Sequence, residues 1–150
     1  MKTKNSKKPR LLVFIVAYNA EKTIQWVLNR IPYELADDFE LEILVIDDQS
    51  SDHTFQESQL FARANKQRLN ITVLFNENNQ GYGGNQKIGY HYAIKKGFDY
   101  VVLVHGDGQY APEEISKLAK PLLKDRADAV FGSRMMEPRA ALKGLSLIHI

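Results

Sequence analysis

The sequence predicts an α/β fold, a mostly parallel sheet with helices on both faces, and three observations carry that reading. Short runs of Val, Leu and Ile recur along the chain, too uniformly apolar for half-exposed strands. Stretches with apolar residues three and four apart separate these runs, and acidic or glycine-bearing loops follow them. Strands alternating with helices need right-handed crossovers, which lay the strands parallel and bring the loops after them to one edge of the sheet.

Leu11-Leu12-Val13-Phe14-Ile15-Val16-Ala17 is the first strand. Asn19 is then an N-cap for a helix with Ile24, Val27, Leu28 and Ile31 on one face, ending before Pro32. Leu41 to Ile46 is the second strand. It exits into Asp47-Asp48-Gln49-Ser50-Ser51-Asp52-His53-Thr54, after which Phe55, Leu60, Phe61 and Ala64 mark a helix.

Ile71 to Phe75 is the third strand and Asn76 to Gly84 a polar loop, with a helix from Gln86 to Lys96 that Gly97 terminates. The fourth strand, from Tyr100 through Val104, runs into His105-Gly106-Asp107-Gly108-Gln109. Pro112, Glu113 and Glu114 then start a helix carrying Ile115, Leu118, Ala119 and Leu122. Pro121 kinks it or starts a new turn, and Ala127 to Phe131 forms a fifth strand ahead of Gly132-Ser133-Arg134.

The chain has 150 residues, 44% hydrophobic and 25% charged, which suits one domain with a sizeable core. Its net charge of +2 depends on Lys2, Lys4, Lys7, Lys8 and Arg10; the remainder is acidic. That argues against nucleic acid as a partner, since a basic face on the folded body is absent. Residues 1–10 read as a basic flexible arm, a solvated tail or a weak attraction to anionic lipid at a membrane surface. No cysteine is present, so disulfides, thiolate metal sites and cysteine nucleophiles are excluded, and a reducing cytoplasm fits. No apolar run is long enough to span a bilayer, and the first strand lacks the small-residue cleavage spacing of a signal peptide.

Asp47, Asp48 and Asp52 follow the second strand and Asp107 the fourth, but they converge on one sheet edge, where ligands of open parallel sheets bind. Clustered carboxylates beside glycine-rich loops point to a divalent cation with a phosphorylated ligand; they also suit a ribose or a base edge. The bland readings are a solvated turn at Asp47-Asp48 and a capping turn at Asp107. Adjacent carboxylates on an extended segment point apart, which argues against a glycosidase pair. Asn79-Gln80-Gly81-Tyr82-Gly83-Gly84-Asn85-Gln86-Lys87 has neither the position nor the spacing of a dinucleotide fingerprint or a P-loop. It remains a loop leading to a helix N-terminus that could meet phosphates.

Val16-Ala17-Tyr18-Asn19, the Asp47 to Thr54 stretch, Asn79-Gln80-Gly81-Tyr82-Gly83, His105-Gly106-Asp107-Gly108-Gln109 and Gly132-Ser133-Arg134, taken in order, resemble family 2 glycosyltransferases. Within that family the chain is most similar to the dolichyl-phosphate mannosyltransferase-like branch. The resemblance covers Leu11 to Gly144 and implies the GT-A nucleotide-diphospho-sugar transferase fold, a Rossmann-like arrangement. Residues 11–144 are then an incomplete nucleotide-sugar-binding domain and 145–150 an atypical tail.

The resemblance implies that Ala17, Tyr18 and Glu21 line the nucleoside pocket and that Asp47 or Asp48 meets the base or ribose. Gly81, Lys87 and Gln109 complete the donor-binding set. Asp107 would hold the metal, Mn2+ or Mg2+. His105 stands where the family commonly has the first carboxylate of Asp-x-Asp; as a metal ligand it favours manganese, and the alternative is that it contacts ribose or phosphate and leaves the metal to Asp107 and the diphosphate. Asp107 and Arg134 would be the catalytic pair, stabilising charge on the departing diphosphate during an inverting, metal-assisted transfer to a polyprenyl phosphate or a glycan. The implied location is cytoplasmic, with peripheral contact at the membrane face.

Two other readings share these features. One is a nucleotide-sugar-binding fragment without turnover. The other is a sugar nucleotidyltransferase, which would present a glycine-rich, basic signature where this chain has Ala17-Tyr18-Asn19.

Overall fold

The computed structural model describes residues 7–133, which divide into two compact units, 7–113 and 114–133. The first contains four strands, β1 (Arg10–Ala17), β2 (Glu40–Asp47), β3 (Ile71–Phe75) and β4 (Tyr100–His105). All pairings are parallel, in the order β3-β2-β1-β4. Its helices are α1 (Ile24–Asn29), the single turn α2 (Leu35–Asp38), α3 (Thr54–Ala64) and α4 (Gly81–Lys96). The GT-A-type α/β expectation therefore holds, with the sheet parallel throughout the described residues.

The central strands β1 and β2 are buried on both faces, as their unbroken apolar runs require. Leu12, Phe14 and Val16 of β1 join Leu44 and Ile46 of β2 in one cluster with Ala93 of α4. Alternate residues Leu11, Val13, Ile15, Ile43 and Val45 are fully buried on the opposite face. Helix α4 approaches its face closely: a Cβ on Gly89 would lie 2.0 Å from the Phe14 ring. Gly97, left-handed at φ 70°, ends α4, and the N–H of Phe98 donates to the Ala93 carbonyl at 3.0 Å.

Four sequence expectations need correction. Arg10 belongs to β1 rather than to the arm; its backbone N–H donates to Asp99 Oδ2 at 2.7 Å. Asn19 does not cap α1, which starts at Ile24 after Thr23; its side-chain oxygen accepts from the Ser51 N–H at 3.0 Å instead.

Helix α4 begins at Gly81, five residues before Gln86, because the orphan amides of its start find side-chain acceptors. The Gly81 N–H donates to Asn79 Oδ1 at 2.9 Å and the Gln80 N–H to Asp48 Oδ1 at 2.9 Å. Finally, Ala127 to Phe131 forms no strand, and Phe131 is 89% exposed.

In the second unit, α5 (Ile115–Leu123) follows a 3-10 turn at Pro112–Glu114 and buries Ile115 and Ala119. Pro121 lies within it. Among the described residues no helix is long and apolar enough to cross a membrane.

Candidate functional site

The strand order fixes where a ligand can sit. From β1 the chain steps to β2 and β3 on one side, then crosses to β4 on the other, so the crevice between the β1 and β4 exits is a topological switch point. The register brings the strand exits level, with Ala17 opposite Asp47 and Val16 opposite His105. A cavity of about 500 Å³ opens there. Ala17 and Tyr18 line it from the β1 exit, Asp48 and Gln49 from β2, and His105, Gly106 and Asp107 from β4. Asn79, Gly81, Tyr82 and Asn85 close it from the loop before α4 and from the helix itself.

Side-chain hydrogen bonds lock these loops together. Asp48 is 3% exposed, and its Oδ1 accepts from Asn76 Nδ2 at 2.7 Å as well as from the Gln80 N–H. Its carbonyl accepts from Asn79 Nδ2 at 2.9 Å. The β1 loop is held to the β2 loop by the Ala20 N–H on Thr54 Oγ1 at 2.7 Å and the Glu21 N–H on Asp52 Oδ2 at 3.1 Å. Burial alone would raise the Asp52 pKa, but bonds from Thr54 and the Glu21 backbone outweigh it and hold the carboxyl below its ordinary value. Thr23 Oγ1 donates to the Gly106 carbonyl at 2.8 Å, tying the β1 loop to the β4 exit.

The two adjacent acids part company, as neighbours on a strand must. Asp48 is in the cavity wall, whereas Asp47 is fully buried and outside it. Asp47 Oδ1 accepts from the Ser50 N–H at 2.8 Å, and Oδ2 has no partner. Burial raises its pKa and the Ser50 bonds only partly offset this.

Ala17, Tyr18, Gly81, His105 and Asp107 line the cavity as well; Glu21, Lys87 and Gln109 do not. Glu21 Oε2 accepts from the His53 N–H at 3.0 Å and faces His53 Nδ1 at 3.2 Å, and those bonds lower its pKa. Lys87 is exposed on α4. The Gln109 N–H donates to Asp107 Oδ1 at 3.0 Å, so Gln109 shapes the loop that presents Asp107. Arg134 lies outside the described residues.

The glycines beside Asp107 make room for neighbouring side chains. Gly108 has φ 79°, and a Cβ there would meet the Trp26 ring at 2.7 Å. His105 has its ring between Tyr82 and Tyr110, at centroid distances of 5.0 and 4.8 Å. Burial lowers its pKa, with Asp107 pulling the other way. The imidazole is therefore neutral at pH 7, the form that can ligate a metal.

No group of three or more His, Cys, Asp or Glu side chains suited to a metal occurs among the described residues. One carboxylate and one imidazole at the cavity mouth still fit a divalent cation, because phosphate oxygens commonly complete such shells.

Val16, Gln49, Asn79, Tyr82, Asn85 and Gly106 line the cavity without being among the site residues expected from sequence. Tyr82 and Asn85 depend on where α4 begins: once it starts at Gly81, Asn85, Gly89 and Ala93 fall at four-residue spacing on its buried face.

A family model described as Glycosyl transferase family 2 matches residues 12–142. The chain is 31% identical over 138 residues to a UDP-N-acetylglucosamine–dolichyl-phosphate N-acetylglucosaminyltransferase of Methanococcus voltae, covering 86% of this chain and 53% of that protein. It is 30% identical over 125 residues to a polyprenol monophosphomannose synthase of Mycolicibacterium smegmatis, covering 83% and 45%. The chain thus spans about half the length of the curated relatives it matches. Among solved structures, a mannosyltransferase of Pyrobaculum calidifontis in complex with GDP-Man and Mn2+ superposes with a TM-score of 0.65 at 22% identity, covering 93% of this chain and 39% of that one, which shows the shared fold. TarS of S. aureus in complex with UDP-GlcNAc superposes with a TM-score of 0.55 at 27% identity, covering 77% and 31%.

Proposed function

The chain belongs to glycosyl transferase family 2, and from that premise we propose that it binds a nucleoside-diphosphate sugar, UDP- or GDP-linked, and serves its transfer to an acceptor. The observation that carries this reading is the cavity at the switch point, with Asp48 in its wall at the β2 exit and Asp107 at the β4 exit. Two strand spacings, about 10 Å, separate those exits, which suits a ligand with a nucleoside at one end and a diphosphate at the other.

The chain's own groups divide the work. Ala17, Tyr18 and Asp48 receive the nucleoside. The first turn of α4, from Gly81, brings a positive helix end to the wall, which favours an anion. Asp107, with the neutral His105 beside it, holds a divalent cation, manganese by preference because imidazole is a poor ligand for magnesium. Bound there, the cation supplies Lewis-acid neutralisation of the departing diphosphate. Arg134, outside the described residues, is assigned a share in neutralising that charge by the family resemblance alone.

The acceptor we assign is a polyprenyl phosphate, with a glycan as the other possibility. Relatives whose names carry dolichyl-phosphate or polyprenol favour the first. A phosphate acceptor is already ionised near neutral pH and attacks the anomeric carbon from the face opposite the diphosphate without a general base. A location in the cytoplasm at the membrane face is part of the same proposal.

The test compares wild type with Asp107→Ala. Metal-dependent binding of the donor is lost in the variant while its far-UV circular dichroism stays that of wild type. Unchanged metal-dependent binding would reject the role of Asp107.

A further inference from the structure

Asn85 lies in the second turn of α4, is 1% exposed, and forms part of the cavity wall. Its Nδ2 donates to the Ile46 carbonyl at 3.0 Å, which fixes the orientation of the amide: the nitrogen is turned onto β2 and the oxygen is the end left over. Oδ1 has no hydrogen-bond partner. Buried amide oxygens are rarely left so, and this one belongs to a residue of the cavity wall, where a bound ligand can supply the donor.

Position indicates which part of the ligand supplies it. Asn85 is anchored on β2, whereas Asp107 follows β4, and β1 runs between them. With the diphosphate at Asp107, the sugar has to stay open to an attacking acceptor, while the nucleoside is free to be enclosed. The enclosed end is the one beside Asp48 and Asn85, and Asp48 Oδ1 is already occupied by Asn76 and Gln80.

We propose that Asn85 is a specificity-determining residue whose Oδ1 accepts a hydrogen bond from the donor's nucleoside, either a ring N–H of the base or a ribose hydroxyl. The inference rests on the reading of this cavity as a nucleoside-diphosphate-sugar site. Uracil and guanine both carry such a ring N–H, and a ligand lacking the relevant donor leaves Oδ1 buried and unpaired, a strong basis for rejection.

The test is calorimetric titration of the full chain, with Mn2+ present, by UDP and GDP. The 2′-deoxy, 3′-deoxy and ring-N-methyl analogues of whichever binds follow. One analogue should bind wild type about tenfold or more weakly, the loss expected for an unpaired buried acceptor, and the identity of that analogue separates base from ribose. Asn85→Ala should bind the parent nucleotide more weakly and no longer discriminate against that analogue, because both changes delete the same bond. A methyl group that merely clashes would still be rejected by Asn85→Ala, so persistent discrimination overturns the proposal. Wild type that binds every analogue within about threefold of the parent also overturns it, without needing the variant to fold. Wild type that binds neither UDP nor GDP removes the underlying reading, and this inference with it.

Discussion

The Tyr82 hydroxyl lies 3.2 Å from His105 Nε2, and the two ring centres are 5.0 Å apart. This contact joins the first turn of α4 to the exit of β4 across the crevice, and it partly buries an imidazole next to the carboxylate assigned to the metal. The state of His105 is therefore an indicator of how closed the site is.

Because burial holds His105 below its ordinary value, the native chain binds fewer protons than the unfolded chain just below that value, about pH 6.5. Stability then rises with pH through the window below about 6.5 and levels off above it. In urea unfolding at stepped pH, wild type should lose stability relative to His105→Gln as pH falls from about 7 to about 5. A difference between the two that does not vary with pH would contradict the partly buried, neutral imidazole.

Asp48 is the tie between the β2 exit and the loop before α4. Removing its carboxylate in Asp48→Ala leaves Asn76 Nδ2 and the Gln80 N–H without their acceptor, so the variant should be less stable by about 2–3 kcal/mol. Asp48→Asn, which keeps an acceptor oxygen, should lose less. Denaturant midpoints measure both, and equal stability of wild type and Asp48→Ala would show that the tie is unimportant.

Gly89→Ala tests the packing of α4 on the sheet. On an exposed helix the change would stabilise by nearly 1 kcal/mol through propensity. Here the added Cβ would lie 2.0 Å from the Phe14 ring, and overpacking should make the variant less stable by about 1–3 kcal/mol. A raised thermal midpoint would mean that α4 sits farther from Phe14 than the structure has it.

The strands were legible because Val, Leu and Ile runs are a property of the local sequence; burial on both faces holds for β1 and β2, whereas β3 and β4, at the two edges of the described sheet, are only partly buried. The gathering of acids at one edge followed from topology. What escaped depended on distant partners. The glycines of Gly81-Tyr82-Gly83-Gly84 read as a loop, and only the Asn79 and Asp48 side chains turn that stretch into the start of α4. Asn19 has the chemistry of an N-cap but spends its oxygen on Ser51. The choice between Asp47 and Asp48 depended on which face of β2 each occupies. Ala127 to Phe131 has a strand's composition and forms no strand. The open oxygen of Asn85 is set by a contact with Ile46, 39 residues earlier.

The central claim, that the switch-point cavity takes a nucleoside-diphosphate sugar with a divalent cation, is tested most directly by calorimetric titration of the wild-type chain with UDP- and GDP-sugars, with and without Mn2+. The account predicts saturable binding of one nucleotide class that strengthens markedly when Mn2+ is added. Folded protein that binds neither class, or that binds equally well without the metal, would contradict it.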